Sequence, residues 1–308
     1  MAQIKHRPLD NTKNVSLFMQ NIIGVDPTAS EASANACIQI RDAENLLSQY
    51  FPYGTAKSNE YRHPKYYGEP ERDKLRETII KELVGKRRLK NDNDIRLGIG
   101  GLLPPGGLRF QKKLFLITGL PASGKSGVAE RVADLTKSIL IDNDYAKRKF
   151  PEFNSHYGAS LVHDEAALVC EGSFADPKYK GLNVIDLAVF AGANIVFPKI
   201  CPTGDRIEEV LKFFANNSDN KYKCFLIHVQ LSREEATIRA YKRFLSTKRY
   251  VPLSMIYDGY ANDPTIAYFE KREFPSLAGY ARISTEVKKG SPPRILDRNK
   301  ISPSLLRG

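Results

Sequence analysis

Short apolar runs alternate with amphipathic segments through the middle of the chain, between Lys113 and about Thr247. Four of the runs predict β-strands: Leu114–Thr118, Ser138–Asp142, Asn194–Lys199 and Cys224–Leu231. The remaining segments repeat apolar residues at helical spacing and predict helices at Gly124–Leu135, Leu161–Cys170, Val184–Ala191, Arg206–Ala215 and Ser232–Leu245. Strands that are separated by crossover helices form a parallel sheet with helices on both faces. The pattern therefore predicts an α/β core.

The first 108 residues lack this alternation. They predict a helix at Ile38–Phe51 and a second at Arg72–Lys90, with the irregular, Tyr- and Pro-rich stretch Tyr50–Pro70 between them. The glycine-rich Gly98–Gly107 is typical of a loop that leads into the first strand. We expect three regions: a mostly helical and irregular N-terminal extension (1–108), the α/β domain (109–287) and a basic tail (288–308) that is poorly ordered or an appendage.

Composition narrows the class of protein but not its substrate. The chain has 308 residues, 42% of them hydrophobic, which is ample for a core. Its N-terminus lacks an apolar signal sequence, and no run approaches the ~18 apolar residues of a membrane span, so we expect a protein that starts out cytoplasmic. The segment Asn11–Ala36, rich in small polar residues, suits a flexible leader for secretion or an ordinary disordered terminus.

Charge and cysteine usage add little that is specific. The net charge of +12 attracts anions, either nucleic acid or ATP with a phosphorylated acceptor. It is spread over separate clusters such as Lys147-Arg148-Lys149, which most often form a solvated face. The four cysteines are far apart and indicate reduced, buried thiols, and neither they nor the five histidines have the spacing of a zinc site.

The sharpest motif follows the first predicted strand. Gly119, Gly124, Lys125 and Ser126 have the spacing of a P-loop, in which backbone N–H groups and a helix N-terminus surround a phosphate. In such a loop the lysine reaches the β- and γ-phosphates and the serine hydroxyl holds Mg²⁺. We predict ATP and Mg²⁺ as cofactors, with Ser126 as the metal ligand. The predicted nucleotide-binding residues of the loop are Gly119, Ala122, Ser123, Gly124, Lys125, Ser126 and Gly127.

Two carboxylates, Asp142 and Asp144, follow the second predicted strand. Ligands of open parallel sheets lie outside the carboxyl ends of the strands, so both belong near the γ-phosphate. One can act as a general base toward a hydroxyl, while the other orients Mg²⁺-bound water or caps the next helix. Strand alternation favours Asp144 as the base. Alternatively, both carboxylates only cap the helix at Tyr145–Lys149.

The last predicted helix of the core is strongly basic. Arg239 and Arg243 are four residues apart and share one face. Arginines in this position can form a lid over the ATP phosphates and neutralise charge during phosphoryl transfer. The alternative is a solvated basic helix.

The chain resembles the zeta-toxin kinases over about Lys113–Tyr250, through GLPASGKS, IDNDYAKRKFPEF, LVHDE and this basic helix. The resemblance implies a P-loop kinase core with Asp144 as catalytic base, Lys125 on the phosphates, and Arg243 and Arg249 as the paired arginines of the lid. We place Arg239 with the nucleotide. On the acceptor side we place Asp142, Lys199 and His163, although His163 is equally consistent with a helix-face residue bonded to a neighbouring carboxylate.

One departure from the family pattern concerns the acceptor. Many zeta toxins end the third strand in Glu-Gly-Thr, which meets UDP-N-acetylglucosamine, whereas the equivalent segment Asn194–Ile200 has no such triplet. Cys170–Ser173 contains Glu-Gly-Ser but follows a helical segment, so we do not equate the two. A similar branch of the family, in plant-pathogen effectors, joins an N-terminal extension to a zeta core and phosphorylates the adenosine ribose of NAD. We therefore expect a different acceptor pocket.

Three functions follow from these observations. The first is an ATP-dependent kinase of a nucleotide-type metabolite that acts as a toxin or secreted effector, with an antitoxin or chaperone as protein partner. The second is a polynucleotide 5′-hydroxyl kinase, which has the same motifs and would use the positive charge to hold nucleic acid, a partner that we favour less. The third is a non-catalytic nucleotide-binding interaction protein.

Overall fold

The computed structural model describes residues 6–50, 54–155, 157–215, 221–288 and 290–307. In these residues the strands form one six-stranded sheet in the order β2-β3-β1-β4-β5-β6. They are β1 (Lys113–Thr118), β2 (Ile139–Leu140), β3 (Ile195–Lys199), β4 (Lys223–Gln230), β5 (Leu277–Ser284) and β6 (Arg294–Asn299). The first five are parallel to their neighbours and β6 is antiparallel to β5. The α/β prediction is confirmed, but β5 and β6 were not predicted.

Helices of the N-terminal extension precede the sheet. They are α1 (Thr12–Phe18), α2 (Glu31–Tyr50) and α3 (Glu69–Gly85), and a π-helical turn, Met19–Ile23, continues α1. The sequence missed α1 and placed the start of α2 too late. It also placed α3 three residues too late, because Pro70 stands in the first turn, where a missing N–H costs nothing.

The helices of the core follow the strands. They are α4 (Lys125–Thr136), α5 (Asn143–Lys147), α6 (Gly158–Leu161), α7 (His163–Glu171), α8 (Val184–Phe190), α9 (Gly204–Ala215), α10 (Arg233–Thr247), α11 (Asp263–Lys271) and α12 (Pro303–Leu306). The helix predicted at Leu161–Cys170 is split at Val162, whose backbone is not helical. The second strand is shorter than predicted because Asp142 caps α5. No helix of the described part of the chain is both long and apolar enough to span a bilayer.

The prediction of a flexible segment at Asn11–Ala36 is wrong. Val15, Phe18 and Met19 are buried in a second hydrophobic cluster, where they join Ala240 and Phe244 of α10. Their polar neighbours gave the segment the composition of a disordered terminus. The apolar residues become a core only because α10 offers them a partner face, which local composition does not reveal.

The prediction of a poorly ordered tail is also wrong for residues 290–307. β6 extends the sheet, with Ile295 opposite Ile283 of β5, and Leu306 of α12 is buried beside α4. Side chains of α3, including Leu75 and Ile79, belong to the same hydrophobic core as the sheet. The boundaries of the three regions themselves stay a prediction.

Candidate active site

The P-loop forms the turn between β1 and α4. Gly119, Ala122 and Gly124 all have positive φ, of 146°, 59° and 85°. A side chain at Gly119 would collide with the backbone carbonyl of Val229 in β4, so only glycine fits at this point. The loop therefore runs close to the strand beside it and turns its backbone toward the N-terminus of α4, as a phosphate cradle requires.

Lys125 bends back over the loop that precedes it. Its Nζ donates hydrogen bonds to the carbonyls of Gly119 and Leu120, at 2.8 and 2.5 Å. Burial lowers its pKa to about 8, although the nearby Asp142 opposes this shift. No carboxylate in the described chain is close enough to form an ion pair with it. The ammonium group is thus held near the loop by neutral oxygens and can move to a phosphate without first breaking an ion pair.

Two serines of the loop have different environments. Ser126 is exposed on the first turn of α4. Ser123 is fully buried, and its Oγ has no hydrogen-bond partner within the described residues. A buried hydroxyl without a partner is costly. Together with the exposed Ser126 hydroxyl, this polar lining fits a phosphate group and its Mg²⁺ ion.

The two aspartates have separate roles in the structure. Asp142 caps α5, because its carboxylate accepts a hydrogen bond of 3.0 Å from the backbone N–H of Asp144. Asp144 itself is 63% exposed and accepts a hydrogen bond of 2.8 Å from Lys147. The positive charge of Lys147 lowers the pKa of Asp144, whereas burial and the charge of Asp144 raise the pKa of Asp142. Asp144 is therefore ionised at neutral pH and accessible.

The three arginines that were predicted to form the lid point in different directions. Arg243 lies within electrostatic range of Asp144 and Lys125. Arg239 donates to Glu235 and to the backbone carbonyl of Thr285, and so holds the segment after β5 against the P-loop. Arg249 donates to Asn93 of the N-terminal extension, at 3.1 Å. Of the three, Arg243 is the one whose charge acts on both Lys125 and Asp144, the two residues expected beside the γ-phosphate.

A buried carboxylate that the sequence analysis set aside stands beside the end of β3. Glu171, the last residue of α7, accepts hydrogen bonds from Lys199 at 2.5 Å and from Asn143. It belongs to the Glu-Gly-Ser triplet, which lies at the C-terminal end of α7 and, as expected, not at a strand end. In space, however, α7 brings this carboxylate to the end of the third strand. The Glu-Gly-Ser triplet was the signal in the sequence from which Glu171 could have been predicted as a site residue.

His163 begins α7 near Asp144 and Glu171, and we call the space among Lys125, Asp144, His163 and Glu171 the cleft. The positive charge of Lys147, and then burial, lowers its pKa, so the imidazole is neutral at physiological pH. Asp144 and Glu171 both act on it electrostatically. The structure therefore brings His163, Lys199 and Asp142 to the cleft that contains Asp144.

A pocket opens between the start of α4, the segment after β5 and the C-terminal helix α12. Thr285 donates a hydrogen bond of 2.6 Å to the carbonyl of Ser123, which joins the segment after β5 to the loop. The pocket is lined by Gly124, Gly127, Val128, Arg131, Thr285, Pro293 and Leu306. Its position beside the start of α4 suits the nucleoside part of ATP. Sequence reasoning missed this pocket because two of its lining residues, Pro293 and Leu306, belong to the tail that was expected to be poorly ordered or an appendage.

Comparisons with known proteins bear on the family and the fold. The family model described as zeta toxin matches residues 108–276, which is more than half of the chain. Among solved structures, the fold is similar to a chain of the PezAT chromosomal toxin–antitoxin system of Streptococcus pneumoniae, with a TM-score of 0.50. The match covers 79% of this chain and 88% of that chain at 13% sequence identity, a level that supports the fold alone. No curated protein sequence matches the chain.

Proposed function

The chain belongs to the zeta toxin family, and we propose that it transfers the γ-phosphate of ATP to a hydroxyl group of a nucleotide-type metabolite. Members of this family are kinases, so the chain is a phosphotransferase. The observation that best supports the assignment of roles is the position of Asp144. This ionised carboxylate is exposed in the cleft and lies within electrostatic range of both Lys125 and Arg243.

The proposed reaction follows from these positions. The P-loop amides and Lys125 bind the β- and γ-phosphates, and Asp144 accepts the proton of the acceptor hydroxyl. A bond forms between the hydroxyl oxygen and the γ-phosphorus while the bond to the bridging oxygen breaks, which releases ADP. Arg243 stabilises the charge that develops on the transferred group. Ser126 and Asp142 offer oxygen ligands for Mg²⁺, which neutralises phosphate charge when it is bound.

We propose NAD or UDP-N-acetylglucosamine as acceptor, and a toxic or effector role for the product. The buried Glu171 carboxylate, held between Lys199 and Asn143, supports a sugar hydroxyl as the target, because a carboxylate can orient a hydroxyl by accepting its hydrogen bond. The similarity to a component of a toxin–antitoxin system supports an antitoxin as protein partner. We propose that the protein acts in the cytoplasm of the producing cell or, as an effector, of a host cell.

The test is an incubation with ATP, Mg²⁺ and one acceptor at a time: NAD, UDP-N-acetylglucosamine or a 5′-hydroxyl oligonucleotide. Mass spectrometry should find one added phosphoryl group on NAD or on the nucleotide sugar, and about 10²-fold less of it with Asp144→Asn. Phosphorylation of the oligonucleotide alone would instead identify a polynucleotide kinase. ADP binding without any transfer would identify a non-catalytic nucleotide-binding protein.

A further inference from the structure

Two arginines from different elements meet at the edge of the cleft. Arg148 follows α5 and Arg249 follows α10. Both donate to the same atom, Oδ1 of Asn93, at 3.3 and 3.1 Å. Each guanidinium carbon also lies 5.6 Å from the centre of the Phe153 ring. We call Arg148 and Arg249 the arginine pair.

The arginine pair lacks a local counter-charge. Within the described chain neither guanidinium has a carboxylate at ion-pair distance, and the acidic groups that act on Arg148, Asp92 and Asp144, do so at longer range. Arg148 is only 7% exposed. Burial and the charge of Arg249 both lower its pKa. Two cations that share one neutral amide repel each other, so an anion between them would relieve an existing electrostatic cost.

The position of the arginine pair relative to Asp144 indicates which anion that is. Asp144 is within electrostatic range of Lys125 and also of Arg148. Arg148 lies beyond the C-terminal end of α5, whereas Asp144 lies in its first turn, next to the P-loop. The arginine pair therefore stands at the C-terminal end of α5 within electrostatic range of the proposed base, and Arg249 also acts on the charge of Arg243.

We propose that Arg148 and Arg249 bind a phosphate group of the acceptor, which thereby presents its hydroxyl to Asp144. The proposal rests on the proposed function and moves Arg249 from the ATP lid to acceptor recognition. Planar guanidinium groups donate two parallel hydrogen bonds to a phosphate, and the shared amide and ring hold both groups in place before binding. The acceptor is accordingly a phosphate ester or a diphosphate, such as the nucleotide-type compounds proposed above.

A binding experiment tests the arginine pair without turnover. The P-loop is first saturated with ADP, and inorganic pyrophosphate is then titrated into the complex by isothermal calorimetry. Arg148→Gln and Arg249→Gln should each weaken pyrophosphate binding about tenfold or more, because each removes a charge-assisted contact. Arg109→Gln is the matched control, since Arg109 is exposed at the opposite end of β1, and it should bind as the wild type does.

Kinetics with the acceptor that is phosphorylated give the second measurement. Arg249→Gln should raise the KM for the acceptor about tenfold while the KM for ATP changes less than about twofold. An equal rise in both KM values would return Arg249 to the nucleotide site and overturn the proposal. If Arg148→Gln does not fold, the pyrophosphate affinity and the KM values of Arg249→Gln alone test the proposal.

The two proposals can fail separately. Pyrophosphate binding that is absent in the wild type, or that survives both substitutions, overturns the arginine pair as an anion site. Pyrophosphate binding that depends on both arginines, combined with no transfer to any acceptor, leaves the anion site standing and overturns the kinase reaction that we propose.

Discussion

Two clusters of charged residues join the N-terminal extension to the kinase core, one buried and one lining the cleft. In the buried cluster, Arg72 of α3 is completely inaccessible and donates to both Glu152 and Glu165, at 2.7 and 2.5 Å. Arg76 donates to the same Glu165, and Thr55 adds a further hydrogen bond to it. Two arginines thus meet two buried carboxylates, and the charges balance.

The cleft cluster is not balanced in this way. Lys125 is held by carbonyl oxygens, and Arg148 and Arg249 are held by an amide oxygen. The charge of Arg243 adds to theirs, and the exposed carboxylate of Asp144 is already bonded to Lys147. Paired buried charges fix one arrangement of the chain, whereas cations without an anion leave a site for one. The buried cluster is therefore structural and the cleft cluster is where phosphates are expected.

The largest effect is expected from Lys125→Ala. It should lower the rate of phosphoryl transfer about 10³-fold or more, because it removes the charge that contacts the β- and γ-phosphates. The melting temperature should stay that of the wild type, since the hydrogen bonds that the Lys125 ammonium group makes within the described residues go to carbonyl oxygens of its own loop. If the wild type arrests growth of a host cell, the substitution should relieve the arrest.

Lys74→Ala is the control, because Lys74 is exposed on α3 and far from the P-loop in the chain. A folded Lys125→Ala protein with wild-type turnover would contradict the kinase proposal.

Arg72→Met should instead lower the stability of the fold. It leaves Glu152 and Glu165 buried with fewer partners, and the free energy of unfolding should fall by about 3–5 kcal/mol. Denaturant titration measures the change, with Lys74→Ala on the same helix expected to stay within about 0.5 kcal/mol of the wild type. A loss below about 1 kcal/mol would show that the two carboxylates become hydrated or protonated when Arg72 is absent. The cluster would then not be what holds the extension against the core.

Asp144→Asn should lower transfer by about 10²-fold with little change in ATP affinity, because it removes a proton acceptor and leaves the phosphate cradle intact. Asp142→Asn is the matched variant two residues earlier in the chain, and asparagine caps a helix as well as aspartate does. Rates from single-turnover assays compare the two. If Asp142→Asn is the more damaging, the two carboxylates have the reverse roles.

The limits of prediction from the sequence are clearest for three neighbouring basic residues, Lys147, Arg148 and Lys149. Their run of positive charge indicates a solvated face, and this expectation is wrong, because the three side chains go to three places. Lys147 bonds Asp144, Arg148 joins Asn93, and Lys149 is fully buried against Glu82. The partners of Arg148 and Lys149 lie far away along the chain, and the partner of Lys147 is set by the first turn of α5. A run of positive charge in the sequence therefore does not indicate any of these partners.

The local motifs were more predictable than their surroundings. The P-loop and the strand before it are defined by neighbouring residues, and the sequence placed both correctly. The strand β6 exists only because β5 offers it an edge, and β5 itself contains Gly279 and polar residues that weaken the strand pattern. Glu171 reaches the site through the packing of α7. Such features depend on contacts between segments that no local pattern records.

Arg243→Lys separates charge from geometry in the cleft. The lysine keeps the positive charge but loses the planar pair of donors, so transfer should slow roughly 10- to 100-fold if the contact to the γ-phosphate is bidentate. The Kd for ADP should change little, because ADP lacks that phosphate. Calorimetry and steady-state rates measure the two quantities. An alanine variant with full activity would show that Arg243 belongs to a solvated face.

The smallest effect concerns how ADP binding depends on pH. Burial lowers the pKa of Lys125 to about 8 in the free protein, and a bound phosphate raises it again, because an opposite charge favours the protonated form. Above this pKa, ADP binding requires the lysine to take up a proton. The Kd for ADP should therefore increase about tenfold between about pH 7 and pH 9, which calorimetry at both values would measure. Lys125→Met has no such proton to gain and should bind ADP weakly at both. A wild-type Kd that is constant over this range would mean that Lys125 stays charged in the empty loop, and that the carbonyls of Gly119 and Leu120 stabilise the ammonium group as well as a phosphate does.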